Sequence, residues 1–527
     1  MPLHGKHLIA GEVVGTPGEV FQAMNPSSGT ALEPGFSEGC EADVDQALEA
    51  ARAAAPDYAA LTNAARAAFL DDIADGIIAL GDALLQRAML ETGLPEARLA
   101  GERARTVNQV KMFAALVREG SWVEASIDHA IPGREPLPKP DMRRMLVPIG
   151  PVVIFGASNF PLAFSVAGGD SASALAAGNP IVVKGHEAHP GTSELVAGVI
   201  AGAVQNAGLP GGVFSLIQGR SHEVGLALVR HSASQAVGFT GSLRGGRALF
   251  DVAHSRPEPI PVYAEMGSIN PVFVLPGAMQ ERAAEFAAGL TTAVTASVGQ
   301  FCTNPGLVVA LDDPATGRFI DTATTSFGAS EPATMLHAGI KKAFAAGVDA
   351  LGAAANVSQV ATADTAPDSG KNEAAAILFM TDSDTFRENE VLQREVFGPA
   401  SVVVKCRSKM DLLDVARQLE GNLTATIHGS ESDLAEYAEL VDIVKTKVGR
   451  IVFNGFPTGL EVCPSTQHGG PYPACTIANS TSVGTAAITR FARPIAFQGF
   501  PDGALPPELQ EANPRGIRRL VDGDWRE

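Results

Sequence analysis

Between Asp43 and Glu119 the chain is Ala-, Leu- and Arg-rich, with apolar residues at helical spacing and almost no proline after Pro56 apart from Pro95. That pattern predicts a helical N-terminal layer. From Pro151 it gives way to short β-branched apolar runs, PVVIF, PIVVK, VFSLI and AVGF, separated by Ala-rich segments long enough for helices. Strands alternating with helices predict an α/β fold with a parallel, doubly wound sheet. A second α/β unit is expected to begin near Pro257 with PVYAEMG and NPVFVLP and to include AAILFM, ASVVVK and RIVFN. The stretch from His468 to Arg493, rich in Gly, Pro, Ser and Thr, reads as a loop leading into ITRFARPIAF, a strand expected to leave the body and pair with another subunit. No internal repeat interrupts this order.

Composition narrows the class. A chain of 527 residues, 46% hydrophobic, has enough length for two or more packed lobes. Acidic side chains outnumber basic ones by 58 to 39 and no Lys/Arg block stands out, so nucleic acid is not an expected partner. The start, MPLHGKHLIAGEVV, lacks the apolar core and cleavage site of a secretory signal, and no apolar run is long enough for a membrane span. Five scattered cysteines argue against both a disulfide framework and a zinc cluster, so a cytoplasmic setting is expected and no metal is assigned.

Three loops carry candidate chemistry. PVVIF is followed by GASNFP and a helical stretch, which puts Asn159 at the carboxyl end of a strand, where its amide can face a developing oxyanion or simply cap the helix. Gly241-Ser242-Leu243-Arg244-Gly245-Gly246 is a strand-to-helix turn able to receive a pyrophosphate, although the full dinucleotide fingerprint is missing. Gly299-Gln300-Phe301-Cys302 sets a cysteine in a loop, where a depressed pKa would make it a nucleophile. Glu265 closes an apolar strand, where poor solvation is expected to raise its pKa toward general-base work.

In this order the pieces resemble the aldehyde dehydrogenase superfamily along nearly the whole chain, from His7-Leu8-Ile9-Ala10-Gly11 to beyond Arg493. The resemblance implies that Cys302 is the nucleophile, Glu265 in EMGSINP the general base and Asn159 the oxyanion donor. It further implies that NAD or NADP is the cofactor. Lys184 and Glu187 would hold the adenosine ribose, Gly241, Ser242 and Gly246 the cofactor turn, and Glu395 with Phe397, in Glu395-Val396-Phe397-Gly398-Pro399, the nicotinamide ribose. Ser268-Ile269 stands where many members have Gly-Lys. FNGFPTGLEVCPSTQHGGPYPACT and STSVGTAAITRFARPIAFQ lean toward the branch of α-ketoglutarate semialdehyde and NADP-linked fatty aldehyde dehydrogenases.

The expected architecture is therefore aldehyde dehydrogenase-like. It has a helical layer and NAD(P)-binding domain over 1–136 and 147–256, a catalytic domain over 257–467, and a small β oligomerisation arm from 137–146 and 480–500. A homodimer or homotetramer is implied. The expected reaction is oxidation of an aldehyde, α-ketoglutarate semialdehyde first, through a thiohemiacetal and a thioester. A fatty or other aliphatic aldehyde is the alternative, followed by a CoA-acylating dehydrogenase and a non-catalytic binding protein. Arg105, on one helix face with Gln109, is the candidate for a distal substrate carboxylate, against pairing with Glu102 on a solvated face. A cofactor-free cysteine hydrolase would need a histidine base, and none of the eleven lies in the Cys302 loop; His468 would have to arrive through folding.

Overall fold

The computed structural model describes residues 2–15 and 18–527. Four helices, Glu41–Ala59, Asn63–Ala79, Gly81–Thr92 and Glu96–Glu119, form the expected N-terminal layer. The second is started by Thr62, whose side chain accepts from the Ala65 N–H at 3.2 Å. The fourth ends at Gly120 in the left-handed region, φ +88°.

The first seven-stranded sheet runs Val262–Glu265, Ala236–Thr240, Val152–Phe155, Ile181–Lys184, Phe214–Ile217, then the His7–Ile9 and Glu12–Val14 hairpin. The first five strands in this order are parallel. Val152, Val153, Ile181, Val182 and Val183 are wholly buried, as strands covered by helices on both faces require. Register aligns Phe155 with Lys184 and with Phe239, and Thr240 with Glu265, so the loops that follow these strands leave from one edge. The strand order turns back on either side of Val152–Phe155, which makes that edge the crevice where α/β sheets take ligands.

The Val262–Glu265 run, expected to open the second unit, is instead hydrogen-bonded into the first sheet beside Ala236–Thr240. The second seven-stranded sheet begins at Pro271–Val274 and has the order Ser358–Thr362, Ile377–Asp382, Ala400–Cys406, Leu307–Leu311, Pro271–Val274, Asn422–His428, Val448–Phe453. Its last strand lies at an edge and exposes Ile451 and Phe453.

A third sheet holds the expected arm strands, Met142–Pro148 and Ala492–Gln498, paired antiparallel over their full lengths. It also includes Ser126–Asp128 and two C-terminal strands, Arg519–Val521 and Asp524–Arg526. The arm is narrower than 480–500. Thr481, Ser482, Val483, Ile488 and Phe491 are buried in the body, and Arg490 donates to the buried Asp170 carboxylate at 2.7 Å. Among the described residues no helix is long and apolar enough to cross a membrane.

Candidate active site

The nucleophile loop is shaped by backbone that side chains rarely adopt. After the helix Pro276–Thr295, Ser297, Val298 and Gly299 all have positive φ, at 48°, 57° and 64°. A Cβ at Gly299 would lie 2.3 Å from the Gly398 carbonyl, so this turn presses directly onto the segment that carries Glu395 and Phe397. Asn270, itself at φ 48°, donates to the Cys302 carbonyl and to the Asn304 carbonyl, both at 2.9 Å. Ser268 takes part in the same buried network, donating to Asn270 Oδ1 at 2.8 Å and accepting from the Leu423 N–H at 3.0 Å. The Ser-Ile departure thus supplies a hydroxyl that steadies the residue holding the cysteine loop.

Around Cys302 Sγ stand the two expected partners and one that folding adds. Asn159, buried at the end of the loop after Val152–Phe155, spends one amide hydrogen on the Gln300 carbonyl at 3.0 Å, which leaves the other for a substrate oxygen. Glu265 is 3% exposed and His468 2%. His468 Nε2 lies 3.6 Å from Cys302 Sγ and 3.0 Å from Glu265 Oε1, while Ser482 Oγ donates to Glu265 Oε2 at 2.7 Å. The sequence offers His468 only as a histidine that folding would have to deliver, because 454–484 holds no helix or strand whose periodicity would orient it.

Both expected pKa directions are reversed. Burial, and then the neighbouring Glu265 carboxylate, push the Cys302 thiol well above its ordinary value. Burial also raises Glu265, but His468, Ser482 and the Cys302 thiol outweigh it and bring the carboxyl down to about 2. The loop leaves the cysteine half-buried, packed against Leu423, Ala474 and Cys475 and beside the buried His468 and Glu265, not at a positive helix end.

Arg105 does not pair with Glu102. Glu102 is buried and takes Arg98 at 2.6 Å together with the Leu162 and Ala163 N–H groups. Arg105 turns instead over Phe160 and Phe164, 5.5 and 5.3 Å from the ring centroids, with its Nε buried and unbonded. Its charge counters the rise of the Cys302 pKa. Phe160, Phe164, Val483 and Phe301 make an apolar cluster beside it.

The cofactor candidates lie along the same edge. Lys184 is buried at its strand end, donates to the Gly219 carbonyl and sits 3.7 Å from Glu187. Burial raises the Glu187 carboxyl, but His186 and Lys184 prevail and lower it to about 2, so it is an anion. Glu187 lines a cavity of about 550 Å³ together with Arg220, His337, Lys341 and Lys371. Ser242 caps the helix Leu243–His254, accepting from the Gly245 N–H at 3.2 Å. A Cβ at Gly241 would meet the Phe239 ring at 2.7 Å, and one at Gly246 would meet Met266 at 2.7 Å, so both glycines keep the turn low over the sheet. Burial pushes the Glu395 carboxyl up to about 7, against a hydrogen bond from the Ser268 N–H. It faces Gly267, where a Cβ would be 2.8 Å from Oε2, and Phe397 lines the adjoining small cavity. A capped helix start, a buried lysine and two carboxylates spaced along one strand edge fit a dinucleotide.

Comparison with known proteins agrees with this geometry. The chain is 49% identical over 524 residues to α-ketoglutaric semialdehyde dehydrogenase 2 of Azospirillum brasilense, covering 99% of both. It is 43% identical to α-ketoglutaric semialdehyde dehydrogenase of Acinetobacter baylyi, covering 99% of this chain and 98% of the relative. In fold it is similar to betaine aldehyde dehydrogenase of Staphylococcus aureus, with a TM-score of 0.80 at 20% identity over 95% of each chain. Residues 14–471 match the model of the aldehyde dehydrogenase family, and the chain belongs to that family.

Proposed function

We propose that the protein oxidises α-ketoglutarate semialdehyde to α-ketoglutarate, with NAD or NADP as acceptor, through a thiohemiacetal and a thioester on Cys302. The observation that carries this reading is the convergence of Cys302, Glu265 and Asn159 on one point of the carboxyl edge. The substrate named by the two relatives has a distal carboxylate. Arg105, turned toward the cysteine and, among the described residues, paired with no carboxylate, suits that group.

In the first step Cys302 Sγ, as the thiolate with its proton released to solvent, bonds to the aldehyde carbon, while the His468 Nε2–H donates to Glu265 Oε1 and keeps that carboxylate in place beside the sulfur. The new oxyanion is held by the Asn159 amide and the Cys302 N–H. Bound NAD(P) supplies a hydride acceptor, and the carbon left on Cys302 is a thioester. Glu265 then takes a proton from water, the hydroxide adds to the thioester, and the acid departs as Sγ is restored. A retained base favours hydrolysis over transfer to coenzyme A. Lys184 and Glu187 would hold the adenosine ribose, the Ser242-capped turn the pyrophosphate, and Glu395 with Phe397 the nicotinamide ribose.

The open strand edges at Val448–Phe453 and Ala492–Gln498 support a homodimer or homotetramer in which each is covered. Five free cysteines suit the cytoplasm. The test is nicotinamide reduction by purified protein with α-ketoglutarate semialdehyde, using NAD and NADP in parallel, a long-chain aldehyde for comparison and Cys302→Ala as control. Faster turnover of the long-chain aldehyde overturns the substrate. Hydrolysis of an activated ester without nicotinamide, together with no reduction of NAD or NADP by either aldehyde, would favour the cysteine hydrolase that the Cys302–His468 contact also permits.

A further inference from the structure

We infer that Cys302, His468 and Glu265 also form a site for one soft divalent cation, zinc or cadmium, which occupies the catalytic centre reversibly and arrests it. Their ligand atoms all lie within 4.8 Å of one another. Sγ to Nε2 is 3.6 Å and Nε2 to Oε1 is 3.0 Å. A tetrahedral zinc with a thiolate at about 2.3 Å and nitrogen or oxygen ligands at about 2.0–2.2 Å needs separations of roughly 3.3–3.7 Å between ligand atoms. The Sγ–Nε2 separation already lies in that range, the Nε2–Oε1 separation is short of it by a few tenths of an ångström, and the carboxylate closes on the sulfur from no more than 4.8 Å.

Charge and rigidity favour the same occupant. One thiolate, one carboxylate and one neutral imidazole sum to two negative charges, which a divalent ion cancels where Glu265 and His468 are buried and uncompensated charge is costly. Binding releases the thiol proton to solvent and involves no change of oxidation state. The Glu265 carboxylate is held from behind by Ser482, and the backbone of the other two is fixed, the Cys302 carbonyl by Asn270 and the His468 backbone N–H by Thr481 Oγ1 at 2.8 Å. Sulfur among the donors selects zinc or cadmium over magnesium or calcium.

His468 Nδ1 is buried without a hydrogen-bond partner. Resident zinc centres commonly have an outer acceptor at that atom, so its absence marks an exchangeable site and not a structural one. Among the described residues, the one group of three or more possible metal ligands holds a single cysteine.

The experiment titrates cadmium into chelator-treated protein in the absence of aldehyde and nicotinamide, reading heat and the ultraviolet thiolate-to-cadmium absorption. It is therefore decided independently of the substrate reading. One ion per chain is expected, with the absorption lost in Cys302→Ser and affinity reduced at least about tenfold in both His468→Gln and Glu265→Gln. Wild-type melting temperature should rise with cadmium and that of His468→Gln should rise less at the same cadmium concentration, a comparison that also reports whether the variant is folded. Unchanged affinity in folded His468→Gln, or absorption surviving in Cys302→Ser through Cys40 or Cys463, overturns the site, as does the lack of stoichiometric binding.

Discussion

The two ends of the carboxyl edge solve opposite problems with the same kinds of side chain. At one end Glu187, with a side chain 48% exposed, faces a cavity of about 550 Å³ beside Arg220 and two lysines. At the other, Glu265 and His468 are each no more than 3% exposed and share their polar atoms with Cys302 and Ser482. Water and mobile ions soften every charge at the open end, so substitutions there should tune preference. At the closed end a lost partner leaves a buried group unsatisfied, so substitutions there should remove a step.

The most severe break is Cys302→Ala, expected to lower aldehyde-dependent nicotinamide reduction by about 10⁴-fold or more, as loss of a covalent nucleophile does elsewhere. Any turnover near wild type would mean that the carbon is oxidised without the thioester. Next, Glu265→Gln should slow steady turnover by about 10²–10⁴-fold. Stopped-flow should still show one equivalent of reduced nicotinamide per site, because attack and oxidation precede hydrolysis. A missing burst would assign Glu265 to the first step as well.

At the open end the effects shrink. Glu187→Gln removes an anion expected to repel a 2′-phosphate and should shift the ratio of kcat/KM for NADP over NAD upward by about tenfold, a change of roughly 1.4 kcal/mol. An unchanged ratio would show that Arg220 and the lysines already neutralise it. The smallest effect concerns stability. The Glu395 carboxyl is raised from 4.5 to about 7 in the folded chain. Its contribution is full below pH 4.5 and is lost as pH rises through about 7. Glu395→Gln cannot ionise, so its melting temperature should fall less than that of wild type between pH 5 and pH 8, by about one or two degrees.

The sequence was most readable where chemistry sits in short loops. Asn159, Glu265 and Cys302 each follow a recognisable strand or glycine turn, and parallel packing of those strands brings the loops to one edge. Which sheet a four-residue apolar strand joins is not encoded in its own pattern, and Val262–Glu265 went to the first sheet for that reason. Arg519–Val521 and Asp524–Arg526 lack the apolar alternation that announces a strand. His468 reaches Cys302 across 166 positions through irregular backbone, a contact no local spacing reports. The direction of both pKa shifts likewise depends on that contact and on how fully the seat closes.

The crossing of Gly299 over Gly398 has a consequence for inheritance. A Cβ at Gly299 would fall 2.3 Å from Gly398 backbone, and its φ of +64° lies in the left-handed region that favours glycine. Every single-base missense change in a glycine codon adds at least that one carbon. Missense mutation at this codon therefore meets a steric barrier before chemistry is even tested, and the turn that aims the cysteine can drift only through silent changes.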